Sequence, residues 1–289
     1  MKVQKSFKED GAKLYIVPTP IGNLEDITFR ALSILKKVDY IAAEDTRNTR
    51  KLLNHFEINK PLISYHEHNK RERTGKVIKD LVEEGKAIAL VSDAGMPAIS
   101  DPGTDLVQEA IKENIDVVVL PGANAALTAL VGSGLKTDQF LFYGFLPRKN
   151  KEITEVLEKL EQLPATLIFY ESPYRIKQTL QKVYEQLGNR RVAIARELTK
   201  RFEEYIRGPI KEVIAWTKEK DIKGEVCLIV EGGSGKTSED ELWWTALDVR
   251  DHVKYYVEKE DLPSKEAIKK VATERRMKRK EVYSIYHIE

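Results

Sequence analysis

The residues best suited to chemistry lie where a short apolar run of the sequence ends. Residues 92–103 read Ser-Asp-Ala-Gly-Met-Pro-Ala-Ile-Ser-Asp-Pro-Gly, between the apolar run 87–91 and the helically spaced residues 104–111. The run is typical of a buried parallel strand, so residues 92–103 are predicted to form a loop at its carboxyl end, where open α/β sheets bind ligands. Asp93 offers an acceptor there, and Gly95 lets the backbone approach a ligand closely.

The end of this loop is predicted to begin a helix. Asp101 is placed to cap that helix, and Pro102 to occupy its first position, where a missing N–H costs nothing. A rigid turn with two caps would use the same residue types. Composition alone therefore leaves both interpretations open.

A second polar segment follows the apolar run 40–43. Residues 44–50 read Glu-Asp-Thr-Arg-Asn-Thr-Arg. Acids and arginines at a strand end could hold a proton acceptor beside phosphate contacts, with Asp45 as a candidate base and Arg47 as a phosphate ligand. The alternative is a capped helix start with charge pairs along the helix, which needs no ligand.

Four further strand ends carry small or polar residues. Residues 121–127 predict a helix start whose free N–H groups face a ligand, although close packing of the helix on a sheet would need the same small residues. The other segments are 144–149, 171–175 and 196–200. From them we select Glu171 as a second candidate base, and Lys149 and Arg175 as phosphate ligands. Together the strand ends predict an uncharged, adenosine-sized crevice rimmed by Arg, Lys and Glu, suited to group transfer onto a phosphate-bearing substrate.

Several common sites are disfavoured by the spacing of their residues. The loop after the first strand has only Gly22 of the glycines that a dinucleotide site needs. Residues 232–238 resemble a phosphate-binding loop, but Val230 stands where its first glycine is required, so they are predicted to be a linker. The His-Glu-His segment 66–68 lacks a third metal ligand, so no metal is expected. No Ser-His-Asp or Cys-His set is apparent.

The elements that must position these residues alternate between strand and helix. Apolar and amphipathic stretches alternate over residues 13–231, which predicts an α/β fold with right-handed crossovers. We expect two α/β lobes, 13–120 and 121–231, with the ligand cleft between them. The predicted strands are 14–17, 40–43, 62–65, 87–91, 116–120, 140–143, 165–170, 191–195, 203–207 and 225–230.

Length and composition predict a globular protein of about two domains. The chain has 289 residues, 42% hydrophobic and 33% charged, and contains no run of 18 apolar residues. Residues 1–12 lack the apolar centre of a secretory signal and are predicted to be a flexible tail. The single cysteine, Cys227, is predicted to be buried and cannot form an internal disulfide, so a cytoplasmic location is expected.

The charge of the chain is unevenly distributed. Residues 265–280 carry eight basic and two acidic side chains, so a chain of net charge +2 sums to −4 outside them. Such asymmetry predicts a polyanion-binding tail, with a solvated helix face as the alternative.

Residues 242–289, after the predicted linker 232–241, are expected to form a small basic helical module. Two short helices with a tight turn between them resemble a helix-turn-helix. A helical cap packed on the main body is the alternative. The apolar residues that share helical faces are Ile268, Val271 and Ala272, then Val282, Ile285 and Tyr286.

Eight motifs occur in one order along the chain. They are Pro-Thr-Pro-Ile-Gly-Asn-Leu (18–24), Glu-Asp-Thr-Arg (44–47), Ser-Asp-Ala-Gly-Met-Pro (92–97), Ile-Ser-Asp-Pro-Gly (99–103), Pro-Gly (121–122), Gly-Phe-Leu-Pro-Arg (144–148), Tyr-Glu-Ser-Pro (170–173) and Arg-Glu-Leu-Thr-Lys (196–200). This ordered set resembles the bacterial 16S ribosomal RNA (cytidine-2'-O)-methyltransferase I family of the tetrapyrrole methylase-like superfamily. The resemblance covers residues 13–231, and the basic tail resembles that family's carboxyl-terminal module.

The resemblance implies S-adenosylmethionine bound between two α/β lobes, in a fold distinct from that of Rossmann methyltransferases. It also implies a homodimer that acts on a ribose in the decoding region of 16S rRNA. Related tetrapyrrole enzymes have Gly-Asp-Pro where this chain has Ser-Asp-Ala at 92–94, a departure that falls on one of the implied contacts. Carried over residue by residue, the cofactor contacts are Pro18, Asp93, Ala94, Gly95, Met96, Asn124, Ala125, Tyr170, Leu198 and Glu225.

The implied reaction is an in-line attack of a ribose 2'-hydroxyl on the sulfonium methyl carbon, in which the protein mainly positions the reactants. The assigned residues are Asp45 and Glu171 as candidate bases, Arg47, Lys149 and Arg175 as phosphate ligands, and Lys278 and Arg279 as RNA contacts. A small-molecule methyltransferase of the tetrapyrrole type would share the crevice without needing the basic tail. A non-catalytic RNA-binding protein would use the tail without a cofactor.

Overall fold

The structure is a computed structural model of the chain, and it describes residues 3–7, 11–233, 244, 246–275 and 277–287. The chain divides into two compact units, residues 1–232 and 233–289. Most of the predicted linker, together with Leu242 and Trp243 of the predicted basic module, lies outside the described residues. None of the helices within the described ranges is long and apolar enough to cross a membrane.

Five parallel strands form the first sheet, in the order β3-β2-β4-β1-β5. Its elements are β1 (Lys13–Ile16), α1 (Phe29–Lys37), β2 (Tyr40–Ala43), α2 (Thr46–His55), β3 (Leu62–Ser64), α3 (Lys70–Glu84), β4 (Ala87–Val91), α4 (Thr104–Lys112) and β5 (Asp116–Val119). Strands this apolar form because helices cover both faces of the sheet. Leu14 and Leu90 pack with α3 and α4, whereas Ile41 and Val91 pack with α1 and α2.

The free edge of β5 is bonded to the N-terminal segment. Gln4 donates from Nε2 to the carbonyl of Val117 at 2.8 Å and accepts at Oε1 from the Val117 N–H at 3.0 Å. Unpaired backbone groups at a sheet edge can bond to other chains, and Gln4 satisfies the N–H and the carbonyl of Val117 on β5. The segment predicted to be a flexible tail is therefore attached to the sheet at Gln4.

Five strands also form the second sheet, in the order β6-β7-β10-β8-β9. Its elements are α5 (Ala125–Ser133), β6 (Phe140–Phe145), α6 (Asn150–Leu160), β7 (Thr166–Glu171), α7 (Ile176–Leu187), β8 (Arg191–Arg196), β9 (Glu204–Pro209), α8 (Ile210–Glu219) and β10 (Val226–Val230). Strands β6 and β7 are parallel, whereas β10 runs antiparallel to β7 and β8, and β8 and β9 are antiparallel. The alternation of strand and helix breaks at residues 197–203, which join β8 to β9 without a helix.

Helix α5 connects the two sheets. It follows β5 of the first sheet, but its residues Ala129 and Leu130 pack on Ile168 and Ile229 of the second sheet. Cys227 lies in the same cluster and is a buried free cysteine, which confirms the prediction of its burial. Small residues in α5 thus allow the close packing of helix on sheet that the sequence offered as one alternative.

The loops that matter for a ligand lie at one edge of each sheet. All strands of the first sheet are parallel, so their carboxyl ends share an edge. In the second sheet β10 opposes both β7 and β8, so the carboxyl ends of β6, β7 and β8 lie at the edge where β10 begins. The predicted α/β class with two lobes and a C-terminal helical module is confirmed.

The basic module contains three helices in its described part, α9 (Val249–Lys259), α10 (Ser264–Glu274) and α11 (Arg279–His287). Ile268 and Val271 are buried in its core, as is Val282. Ile285, predicted to share the face of Val282, is 40% exposed. The three α10 residues predicted to share a face are all buried, but Ala267 is buried with them and was not predicted, and the prediction for α11 holds in part.

Candidate active site

A cavity of about 590 Å³ is lined by loops from the edges of both sheets. This volume is typical of sites that bind small molecules. Its position agrees with the rule that ligands of open α/β sheets lie beyond the carboxyl ends of the strands. Residues 13–120 supply Ile21, Glu44, residues 93–96 and residues 99–101, and residues 121–231 supply Asn124, Ala125, Phe145, residues 170–173, Ala195, Glu197, Leu198, Lys200 and residues 224–227.

The loop after β4 has an unusual backbone conformation. Gly95 and Gly103 have φ angles of +82° and +149°, and Ala98 and Ser100 have φ angles of +69° and +60°. A non-glycine residue in this region costs on the order of 1–3 kcal/mol, so surrounding contacts must hold it. One such contact is a pair of backbone hydrogen bonds between Thr19 and Gly95, each of 2.9 Å.

Asp101 lines the cavity and does not cap the helix that follows. Helix α4 begins at Thr104, with Gly103 as its N-cap residue and no side-chain cap hydrogen bond. The prediction that Asp101 caps this helix and Pro102 occupies its first position is therefore wrong. The positive φ of Gly103 turns the chain between Pro102 and the helix, which separates the Asp101 side chain from the helix start.

Asp93 is oriented by the start of α2. Its Oδ1 accepts from the backbone N–H of Asp45 at 3.1 Å, and its Oδ2 accepts from Nδ2 of Asn48 at 3.0 Å. The backbone N–H of Asp93 donates to Oε2 of Glu44 at 3.4 Å. These contacts fix the carboxylate on the cavity wall beside a helix N-terminus, where negative charge is stabilised.

The cavity is strongly acidic. Among the described side chains that line it, Lys200 is the one basic group, and its Nζ lies 3.1 Å from Glu197 and 3.4 Å from Glu225. The prediction of an uncharged crevice is therefore wrong, because the acids at the strand ends face the cavity while the predicted arginines do not. An acidic cavity favours cationic ligands. The lining carboxyls are Glu44, Asp93, Asp101, Glu171, Glu197 and Glu225.

Burial and repulsion between like charges change the pKa values of two of these acids. Burial raises the pKa of Asp101 to about 7, and the nearby Glu44 carboxyl adds to this effect while a hydrogen bond with the Ser92 side chain opposes it. Burial also raises the pKa of Glu44. A carboxyl with a pKa near 7 exists in both protonation states at neutral pH, which suits general acid–base chemistry.

The cavity brings together most of the residues predicted to bind the cofactor. They are Asp93, Ala94, Gly95, Met96, Asn124, Ala125, Tyr170, Leu198 and Glu225. Pro18 is not among the lining residues and instead packs against Gly122, where an added Cβ would lie 2.7 Å from the Pro18 Cβ. The candidate base Glu171 lines the cavity, but its Oε1 accepts from the Ser172 N–H and its Oε2 from the Thr179 hydroxyl, both at 2.7 Å.

The other predicted base and the phosphate ligands lie outside the cavity lining. Asp45 accepts from Nη2 of Arg47 at 2.6 Å, and hydrogen bonds from Arg47 lower the pKa of Asp45 to about 2. Lys149 is 81% exposed and forms an ion pair with the first turn of α6. Arg175 donates to two backbone carbonyls of the loop after β6. The basic module contains the other two predicted ligands, Lys278 and Arg279.

Glu44 and Asp101 are ionisable lining residues that the sequence prediction missed. Both follow predicted strands, so their position was a usable signal. Glu44 stands next to Asp45, and the choice between them depends on which side chain Arg47 engages. The spacing of residues in the sequence does not show that Arg47 engages Asp45 rather than Glu44.

The solved structure of cobalt precorrin-4 methyltransferase has a fold similar to that of this chain. The TM-score is 0.58 at 17% identity, over 76% of this chain and 94% of that one, which shows the likeness of fold alone. The two sheets therefore have the architecture of a solved α/β methyltransferase. Residues 13–214 match the family of tetrapyrrole (corrin/porphyrin) methylases.

Full-length relatives narrow the assignment. A protein from Halalkalibacterium halodurans named ribosomal RNA small subunit methyltransferase I is 56% identical over 100% of both chains. A protein of the same name from Bacillus subtilis is 54% identical over 100% of this chain and 99% of that protein. The chain therefore belongs to the tetrapyrrole methylase family, in the group of ribosomal RNA small subunit methyltransferase I. The resemblance stated from its motifs is confirmed.

Proposed function

We propose that this protein is an S-adenosylmethionine-dependent methyltransferase that methylates the ribose 2'-hydroxyl of a cytidine in the decoding region of 16S rRNA. The observation that carries the proposal is an acidic cavity, at the carboxyl edges of two sheets, in a chain 56% identical to a protein named for methylation of small-subunit rRNA. The cytidine and its 2'-hydroxyl come from the motifs that the chain shares with that family.

The cavity fits this methyl donor in size and charge. Its volume of about 590 Å³ lies within the usual range for small-molecule sites. The donor carries a sulfonium and an ammonium group, and carboxylates in a partly buried site attract both. When bound, it supplies a methyl group already activated for transfer. The residues that would hold it are Asp93, Ala94, Gly95, Met96, Asn124, Ala125, Tyr170, Leu198 and Glu225, whereas Pro18 packs against Gly122 outside this lining.

The protein's own contribution is to position the reactants and exclude water. Asp93 is fixed before any ligand arrives, because Asp45 and Asn48 already donate to it. Tyr170 presents a ring at the cavity wall, and burial raises the pKa of its hydroxyl, so the phenol stays neutral. A pre-oriented carboxylate and an uncharged aromatic wall lower the cost of ordering a bound donor.

The acidic cavity also constrains how RNA approaches. Carboxylates repel phosphates, so a nucleotide would enter with its ribose while its phosphates stay outside the cavity. Exposed basic side chains are available for those phosphates, among them Arg47 and Lys149. We assign Lys278 and Arg279 of the basic module to the RNA backbone. This part of the binding should weaken steeply with salt, because phosphate contacts release counterions.

We further propose that the protein acts as a homodimer in the cytoplasm, where its rRNA substrate is found. Leu127 and Val131 support the dimer, because they lie one turn apart on α5 and are 48% and 75% exposed. Exposed apolar side chains that share a helix face are typical of interfaces. Sedimentation analysis of wild type and Val131→Glu tests this: a wild type that is monomeric at micromolar concentration would contradict it.

The defining experiment is mass mapping of 16S rRNA from cells with and without this protein. The proposal expects one ribose-methylated cytidine in the decoding region that is lost without the protein and restored when purified protein and S-adenosylmethionine are added to the unmodified small subunits. An unchanged methylation pattern would refute the rRNA assignment.

A small-molecule methyltransferase of the tetrapyrrole type is the second candidate, favoured by the likeness of fold to cobalt precorrin-4 methyltransferase. That function needs the cavity but not the basic module. Methyl transfer to a tetrapyrrole with no transfer to small subunits would support it. A protein that binds RNA but not S-adenosylmethionine would instead be a non-catalytic RNA-binding protein.

A further inference from the structure

Among the described residues, six carboxyls line the cavity, and five of them accept from a backbone N–H or from a lysine ammonium group. Asp93 is bonded to the start of α2, and Glu44 accepts from the Asp93 backbone. Glu171 accepts from a backbone N–H and a threonine hydroxyl. Glu197 and Glu225 share the Lys200 ammonium group. These contacts orient the five carboxylates but also occupy them.

Asp101 differs from all of them. In the described part of the chain it pairs with no lysine or arginine, and the Ser92 hydroxyl is the donor that opposes the rise in its pKa. The acids whose charges raise its pKa come from both lobes: Glu44 and Asp93 from residues 13–120, and Glu225 from residues 121–231. The charge of Asp101 also raises the pKa of Tyr170 on β7. Asp101 therefore lies inside the cavity, between the two lobes, with capacity to accept a proton.

We propose that Asp101 is the catalytic base of the methyl transfer, accepting the proton of the attacking ribose hydroxyl. This inference rests on the proposed function and deepens it. The hydroxyl oxygen forms the new carbon–oxygen bond, the carbon–sulfur bond of the donor breaks, and its electron pair remains on sulfur as a neutral thioether. The hydroxyl proton passes to a carboxylate oxygen of Asp101, from which solvent removes it after the product leaves.

The electrostatics of the cavity support this role. Burial and the Glu44 carboxyl raise the pKa of Asp101 to about 7, whereas Arg47 lowers the pKa of Asp45 to about 2. A base is most effective when its pKa lies near the working pH, so Asp101 is the stronger base of the two at neutral pH. A bound cation favours the ionised carboxyl. Donor binding should therefore deprotonate Asp101 before the hydroxyl arrives.

The first test is the pH dependence of the wild-type rate. Single-turnover methylation of unmodified small subunits, at saturating S-adenosylmethionine, is measured between about pH 5.5 and pH 9. The rate should rise about tenfold per pH unit at low pH and level off at or below about pH 7, because the donor's charge lowers the pKa of Asp101. A rate that does not change with pH would overturn the proposal, and this measurement does not depend on any variant folding.

The second test compares Asp101→Asn with Asp105→Asn. Asp105 is an acid on the first turn of α4 that pairs with Lys70 and does not line the cavity, so its variant controls for loss of a nearby charge. Asp101→Asn should lose about 10²–10⁴-fold in rate and its remaining rate should no longer level off near pH 7. Its dissociation constant for S-adenosylmethionine should rise by no more than about tenfold, because the donor favours the ionised carboxyl by the same factor that it lowers the pKa of Asp101.

Two results for Asp101→Asn would overturn the proposal. One is a rate within about threefold of wild type, since removal of a base costs more than this. The other is weak donor binding with a normal rate at donor saturation, which would make Asp101 a donor-binding residue.

A third test needs no turnover. Calorimetric titration of the full chain with S-adenosylmethionine at pH 7, in two buffers of different ionisation enthalpy, counts the protons released on binding. Wild type should release more protons than Asp101→Asn, and equal release would overturn the proposal. A wild type that binds the donor but does not methylate rRNA refutes the proposed function and the base together. Equal methylation by wild type and Asp101→Asn refutes the base alone.

Discussion

Asp93 shows how a single side chain is prepared for a ligand by bonds from Asp45 and Asn48. Asp93→Ala should lower the affinity for S-adenosylmethionine at least about tenfold, because a hydrogen bond to a charged group contributes about 1.5–3 kcal/mol. Asn48→Ala should cause a smaller loss, since it removes one orienting bond and leaves the carboxylate. Calorimetric titration measures both, with Asp105→Asn as the control. Unchanged affinity in Asp93→Ala would remove Asp93 from the site.

The sequence located Asp93 and the small residues after it because each follows a predicted strand. It did not locate Asp101, whose neighbours Gly and Pro are equally typical of a helix cap. It also favoured Asp45 over Glu44, although the two are adjacent. Adjacent side chains in an extended segment point to opposite sides, and the partner that decides between them, Arg47, is recognised only when the helix start is built.

The loop after β4 can be tested as an element through its glycines. An added Cβ at Gly103 would lie 2.8 Å from the Leu90 side chain and 3.1 Å from Ala98, at a φ of +149°. Gly103→Ala should therefore lower the free energy of unfolding by about 2–3 kcal/mol. Gly85→Ala is the matched control: its φ of +62° carries strain but its surroundings are open, so about 1 kcal/mol is expected. Urea unfolding measures both, and equal losses would contradict the steric argument.

Helix α9, the first described helix of the basic module, buries a histidine. His252 is fully buried, accepts at Nδ1 from Nε of Arg275 at 3.1 Å, and its Nε2 lies 3.1 Å from Glu274. Burial, with Arg275 and Lys270 nearby, lowers the pKa of His252 to about 4. The folded module therefore favours neutral histidine, and this stabilisation is complete above about pH 6.5 and is lost as the pH falls towards 4.

Hydrogen exchange tests this in the full chain. After correction for intrinsic rates, residues 249–287 should lose protection between about pH 7 and pH 4.5, because the unfolded state binds a proton that the folded state excludes. His252→Phe keeps a buried ring without a titrating group, so its loss over the same range should be smaller. Equal losses in the two proteins would show that His252 does not set the pH response.

Most of the strands and helices were predicted from the sequence. Each predicted strand is present, with β4 at its predicted bounds and β9 displaced by one or two residues. The position of β10 between β7 and β8 was not predicted, because hydrophobic periodicity describes a strand and not its partner. The fold class followed from local patterns, whereas the order of the second sheet depends on pairing between distant segments.

For the whole molecule, the division into two compact units predicts that donor binding and RNA methylation can be separated. Deleting residues 237–289 should leave the affinity for S-adenosylmethionine unchanged, because the cavity lies within residues 1–232. Methylation of small subunits should fall at least about tenfold at physiological salt, since the deletion removes the phosphate contacts of the basic module. Calorimetry and transfer of labelled methyl groups measure the two effects. Full activity of the shortened protein would favour the small-molecule alternative.

The central strand of the second sheet is also the last strand in the described part of the chain. Until residues 226–230 are synthesised, β7 and β8 lack the strand that joins them, whereas the first sheet is complete once β5 has been made. A nascent chain should therefore fold its first sheet early and leave two apolar strands exposed until residues 226–230 have been made. The donor site would then form late in biosynthesis, so an incomplete chain would hold a finished first sheet without a working cavity.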